Sequence, residues 1–177
     1  MTLLLRVVSG AILLAVVAAA LWIGTAALAL LIGVAVLVAA WELTGLGRRL
    51  EAEPPLWLLA PLSLWLALRA VFPAGYRDAD WPMYAAVVVG LTGCLLLRVD
   101  FRRWAVAVAG AIWVGFSIGT FLLIYQWRPA DASHLGLRLV VLSVAGVIAG
   151  DTAAYLAGTA LGRHRFFASI SPKKSVE

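Results

Sequence analysis

VVSGAILLAVVAAALWIGTAALALLIGVAVLVAAW, residues 7–41, carries no charged side chain; the interval from Arg6 to Glu42 is built from apolar and small residues. About 20 residues cross the hydrocarbon core of a bilayer as a helix, so this stretch is too long for one span and must fold back on itself. Gly24-Thr25 offers the turn, which predicts a first helix from about Val7 to Ile23 and a second from about Ala26 to Gly45. A signal peptide, with Arg6 as its charged region and Ala18-Ala19-Ala20 near a cleavage site, is disfavoured because no polar mature domain follows.

Working outward, the same alternation of apolar run and polar break continues. Arg48, Arg49, Glu51, Glu53, Pro54 and Pro55 end the first pair, and Leu56 to Phe72 forms a third, shorter segment with Arg69 placed to snorkel near its end. A loop containing Pro73, Gly75, Arg77, Asp78 and Asp80 precedes a fourth segment from about Met83 to Leu97. Arg98, Asp100, Arg102 and Arg103 then interrupt. The fifth runs from Trp104 to Trp127 and the sixth from Leu139 to Gly162. The expected fold is therefore all-α: a polytopic membrane protein of about six helices, with residues 1–177 as one transmembrane domain.

Composition agrees. The 177 residues are 64% apolar and 13% charged, with a mean hydropathy of +1.00, against about 45–50% and 25% in soluble domains. That excludes a soluble enzyme, and a chain so rich in Leu, Val and Ala is not disordered. The net charge of +5 lies in short clusters between apolar runs rather than on one soluble face, which argues for a membrane and against nucleic acid. Six tryptophans (Trp22, Trp41, Trp57, Trp81, Trp104 and Trp127) sit near segment ends, where an amphipathic ring favours the headgroup region. Cys94 is the single cysteine, so no internal disulfide and no cysteine-based zinc site is expected. His134 and His164 fall on opposite sides and cannot share a metal.

Six spans place Arg6, Arg48, Arg49, Arg98, Arg102, Arg103, Arg163, Arg165, Lys173 and Lys174 on one side, and Arg69, Arg77, Arg128 and Arg138 on the other. The excess of basic residues marks the cytoplasmic side, so both termini of the chain are expected there, with the protein in the inner (plasma) membrane.

Chemistry concentrates toward the C-terminal end. Asp151 lies in the middle of the sixth segment, where a carboxylate costs about 2.5–3.5 kcal/mol on insertion scales and is expected to face protein, water or a cation. The structural alternative is a carboxylate hydrogen-bonded to Thr152, Thr159 or Ser143. Tyr155 stands one turn on, on the same side of the helix. Gly146, Gly150, Ala154, Gly158 and Gly162 recur every four residues, a seam suited to close helix packing, and Gly115 with Gly119 offers a second. Farther on, Ser171 and Pro172 read as the N-cap and first position of another helix. Lys173 and Lys174 beside that start would form an anion site, the plainer reading being a positive-inside anchor.

Gly150-Asp151-Thr152-Ala153-Ala154-Tyr155, then Gly158, Gly162-Arg163-His164, and Ile170-Ser171-Pro172-Lys173-Lys174-Ser175-Val176-Glu177 resemble the central part of bacterial phosphatidate cytidylyltransferases, the CDP-diglyceride synthases. The resemblance is strongest from Gly146 onward; the earlier helices, the second ending in Trp41-Glu42-Leu43, are compatible with it. It implies an enzyme of phospholipid biosynthesis that joins CTP to phosphatidate, releasing pyrophosphate and CDP-diacylglycerol, with Mg²⁺ as cofactor. It assigns Asp151, Lys173 and Lys174 to catalysis, with Asp151 as metal ligand, and Tyr155, Ser171, Ser175 and Glu177 to substrate binding. Ser175 replaces the usual Thr and keeps the hydroxyl. The family's C-terminal Lys-Asp, Pro-Gly-His-Gly-Gly and Asp-Arg-x-Asp signature does not follow Glu177, so the expectation is a fragment or truncated chain that is inactive alone. A homodimer is compatible with this reading. Two other readings stay open: a CTP-dependent polyprenol or other lipid kinase, and a small transporter with Asp151 as its proton or cation site.

Overall fold

The computed structural model describes residues 3–72, 81–128 and 134–160, and among these every regular element is helical. The long uncharged stretch divides at Gly24, whose φ of +118° belongs to the region that favours glycine. It separates α1 (Leu3–Ile23) from α2 (Thr25–Arg49). The carbonyls of a helix's last turn lack intrahelical donors, and here Tyr125 Oη donates to the Leu21 carbonyl oxygen at 3.2 Å. This bond ties the end of α1 to a helix about a hundred residues later.

The second helix runs farther than the expected Gly45, to Arg49, and closes with Ala52 N–H donating to Gly47 O and Glu51 N–H to Arg48 O. That pair of bonds is a Schellman stop, with Glu51 in the left-handed region at φ +55°. The fourth helix, α4 (Trp81–Leu96), ends in the same way: Val99 N–H bonds Cys94 O, Arg98 N–H bonds Leu95 O, and Arg98 has φ +55°. Two of the charged breaks in the sequence, at residues 48–52 and 98–100, are thus tight, hydrogen-bonded turns at one end of the bundle.

Pro55 opens α3 (Leu56–Leu68), and a 3₁₀ turn (Arg69–Val71) closes it. Although short, α3 is the centre of the fold. Leu58, Leu59, Leu62, Ser63, Leu66 and Ala67 are all buried. They link a cluster formed with α2 and α4 to another that includes Leu28, Ile32, Val36, Leu122 and Val140. Arg69 lies over the Phe116 ring, 5.1 Å from its centroid, so its charge is accommodated by a cation–π contact.

Asp100 caps the next helix by accepting from Arg102 N–H at 3.2 Å, which starts α5 (Phe101–Ala111) three residues before the expected Trp104. A π turn (Ile112–Phe116) joins it to α6 (Ser117–Gln126), so residues 101–126 form one rod. This rod presses on α3 at two glycines. A methyl group added to Gly115 would lie 2.5 Å from Ser63 O, and one added to Gly119 would lie 2.6 Å from Ala67 Cα. The last described helix is α7 (Leu135–Ala160), which begins before the expected Leu139.

Three of the described helices, α2, the 101–126 rod and α7, are long and apolar enough to cross a membrane; α1, α3 and α4 contribute shorter apolar stretches. Of the tryptophans placed at segment ends, Trp22, Trp41, Trp57, Trp81 and Trp127 are exposed. Trp104 instead packs against the cluster around Leu58 and Leu59, and its indole N–H is buried without a partner among the described residues.

Candidate functional site

Asp151 lies well inside α7, about two-thirds of the way from Leu135 to Ala160. Among the described residues, the fully buried positions of its helix are Gly136 and Val140, near its beginning, and both Asp151 and Tyr155 are exposed. Four residues apart, they occupy one face. Ser143 Oγ donates to Leu139 O at 2.8 Å and Thr159 Oγ1 to Tyr155 O at 2.9 Å. These hydroxyls are therefore spent on their own helix backbone, and among the described residues Asp151 has no hydrogen-bonded or ion-paired partner. The structural alternative for this carboxylate finds no support in that arrangement.

Gly146 and Gly150, on the small-residue seam, meet no atom within 4 Å of where a side-chain carbon would stand. The close packing expected of that seam is absent there among the described residues, whereas the Gly115 and Gly119 surface is closely packed. Lys173, Lys174, Ser171, Ser175 and Glu177 lie outside the described residues, as does the expected Ser171-Pro172 helix start.

No group of three His, Cys, Asp or Glu side chains that could hold a metal ion occurs among the described residues. Mg²⁺ asks less than that of a protein: one or two carboxylates, with substrate phosphates and water completing its six oxygens. Asp151, without a partner among the described residues, matches that protein share in donor type.

A second polar feature was not singled out in the sequence. A cavity of about 530 Å³ opens at the charged end of the bundle, lined by Trp41, Glu42, Arg48, Glu53, Trp57 and Arg103 together with smaller residues. Arg48 donates to Glu53 Oε1 through Nη2 at 2.7 Å and through Nε at 3.2 Å. That bond holds the Glu53 carboxyl below its usual range, with partial desolvation opposing it and the charges of Arg48 and Arg103 assisting. The signal for this cavity was the pairing of two charged breaks, residues 48–55 and 98–103, which become neighbours because α2, α3 and α5 pack against one another.

The sequence profile of the cytidylyltransferase family matches residues 4–177, from the first turn of α1 to the final glutamate. The chain belongs to the cytidylyltransferase family. No individual curated relative and no solved structure matches it significantly. As a cytidylyltransferase the protein is a nucleotidyltransferase that uses CTP, and its long apolar helices make it a membrane protein. Family membership covers both the early helices and the α7 segment, and so includes regions where the motif resemblance was weak.

Proposed function

We propose that this cytidylyltransferase makes CDP-diacylglycerol from CTP and phosphatidate in the plasma membrane, with the chain's termini on the cytoplasmic side. The observation that carries the reading is Asp151: a carboxylate with no partner among the described residues, on an apolar helix of a cytidylyltransferase, followed in sequence by Ser171-Pro172-Lys173-Lys174. An apolar scaffold suits a diacyl lipid that never leaves the bilayer, while the basic segment suits a polyanionic nucleotide.

A phosphatidate phosphate oxygen would attack the α-phosphorus of CTP, forming the new P–O–P bond as the bond to the β-phosphate bridge breaks and pyrophosphate leaves. Two polyanions must approach one another. Lys173 and Lys174 would reduce their repulsion and stabilise charge on the leaving pyrophosphate. Asp151 would hold Mg²⁺, which when bound supplies charge neutralisation at the phosphates. Tyr155, Ser171, Ser175 and Glu177 would orient the substrates by hydrogen bonding.

The test uses full-length protein in vesicles containing phosphatidate, with CTP labelled at either the α- or the γ-phosphate. Cytidylyl transfer puts α-label into lipid and γ-label into pyrophosphate. γ-Label in lipid, with CDP as the soluble product, would replace this reading with that of a CTP-dependent lipid kinase. α-Label entering lipid only with another acceptor would remove phosphatidate as the substrate.

A further inference from the structure

Besides the charged cavity, α2 and α3 line a second, apolar depression. On α2, Leu30, Val34, Leu37, Trp41, Gly45 and Arg48 recur every three or four residues, so they lie on one stripe. The first three line the apolar depression, of about 500 Å³, and the last three line the charged cavity. On α3, Trp57 lines the charged cavity while Leu64 and Leu68 line the apolar one, again at helical spacing. Leu30, Val34, Leu37 and Trp41 are each 45–71% exposed, so this stripe is uncovered. From Leu30 to Trp41 it runs about 16 Å along the helix axis. The α2–α3 groove is therefore apolar over most of its length and charged at one end, with exposed indoles at the junction.

Its charge selects among amphiphiles. Arg48 and Arg103 are balanced by Glu42 and Glu53, and the Arg48–Glu53 pair is already closed. That leaves one guanidinium, Arg103, and one carboxylate, Glu42, in a cavity walled by Trp41 and Trp57. A phosphomonoester bearing up to two negative charges meets no net positive charge there. A headgroup with one phosphodiester and one cationic amine matches it: phosphate to Arg103, and amine to Glu42 and the indole faces, which attract cations.

From this we propose that the α2–α3 groove binds one zwitterionic phospholipid, acyl chain along Leu30–Leu37 and headgroup between Arg103 and Glu42, at a site separate from Asp151.

Native mass spectrometry of the full-length protein, titrated with phosphatidylethanolamine, phosphatidylcholine, phosphatidylglycerol and phosphatidate of identical acyl chains, tests the proposal. At least one of the two zwitterionic lipids should bind about fivefold more tightly than phosphatidylglycerol, the ratio expected for one exposed cation–π or ion-pair contact; the ethanolamine and choline arms identify the amine. Glu42→Gln should erase that preference by weakening the zwitterion while leaving phosphatidylglycerol unchanged or tighter. Val34→Trp fills the apolar depression at an exposed position and should weaken the zwitterion without touching a charge. Tighter binding of phosphatidylglycerol to the wild type would overturn the proposal, as would tighter binding of phosphatidate that Val34→Trp weakens; phosphatidate binding that Val34→Trp leaves unchanged belongs to the substrate site and not to the groove. So would an unchanged preference in Glu42→Gln, or unchanged zwitterion affinity in folded Val34→Trp protein.

Discussion

Two glycine pairs with the same spacing have opposite surroundings. Gly115 and Gly119 lie against the backbone of α3, so close that even a methyl group would overlap Ser63 and Ala67. Gly146 and Gly150 meet none of the described residues within 4 Å. A small-residue repeat permits close approach without showing whether a partner is present. What differs is the neighbouring helix: α3 supplies a buried ridge to the rod, whereas α7 is held near its beginning and extends beyond the packed core carrying Asp151 and Tyr155. Among the described residues, close glycine packing thus lies on the rod and at the start of α7, while the proposed chemistry lies farther along α7.

The largest expected effect breaks the chemical side of that comparison. Asp151→Asn keeps size and hydrogen-bonding capacity but removes charge. Because Asp151 has no partner to lose among the described residues, expression and thermal stability should hardly change. If the carboxylate serves Mg²⁺, turnover in the full-length enzyme at saturating Mg²⁺ should fall by about 100-fold or more. Wild-type turnover would return Asp151 to a passive role.

Next comes the packing side. Gly119→Leu inserts a side chain where Ala67 Cα already stands, an overpacking that costs typically 1–3 kcal/mol and more when backbone must move. Its thermal midpoint and yield should drop clearly. Gly150→Leu, with nothing within 4 Å, should leave the midpoint within error. Equal losses from both substitutions would show that the α7 seam is covered in the membrane.

Much of this is legible in the sequence. The uncharged stretch at residues 7–41 required a break, and Gly24 supplies it; Pro54-Pro55 and the basic clusters marked the later ones. Element ends were less visible because they depend on local hydrogen bonds. Asp100 starts α5 early by capping it, and the Schellman bonds to Gly47 carry α2 to Arg49. Asp151 stood out because a lone carboxylate in an apolar run is costly. The Glu42–Arg103 cavity did not, since its residues lie some sixty positions apart and meet only when α2, α3 and α5 pack together. Nor could spacing tell a filled glycine seam from an open one.

A smaller effect concerns how α1 is held. Its exposed residues include Ile12, Leu13 and Trp22, and its end is joined to α6 by the Tyr125 hydroxyl. Removing that hydroxyl in Tyr125→Phe should cost about 0.6 kcal/mol, the average for such bonds between helices in membranes. Amide exchange should rise around Leu21–Gly24 while α3 stays protected. A uniform rise in both would show that α1 supports the whole bundle.

The smallest effect lies at the turn between α2 and α3. Glu53 accepts from Arg48 and is held below its usual pKa. A carboxylate depressed in the folded state stabilises that state above its unfolded pKa of about 4.3, and the contribution is lost as pH falls through the folded value. Both side chains meet water, with Arg48 70% and Glu53 35% exposed, so the contribution is modest and weakens with salt. Glu53→Gln should therefore lower the thermal midpoint slightly at pH 7 and low salt, with the two proteins converging as the pH is taken below about 4 or as salt is added. A difference that grew on acidification would have the wrong sign for a depressed carboxylate, and would place the stabilising role of Glu53 in its protonated form rather than in the pair with Arg48.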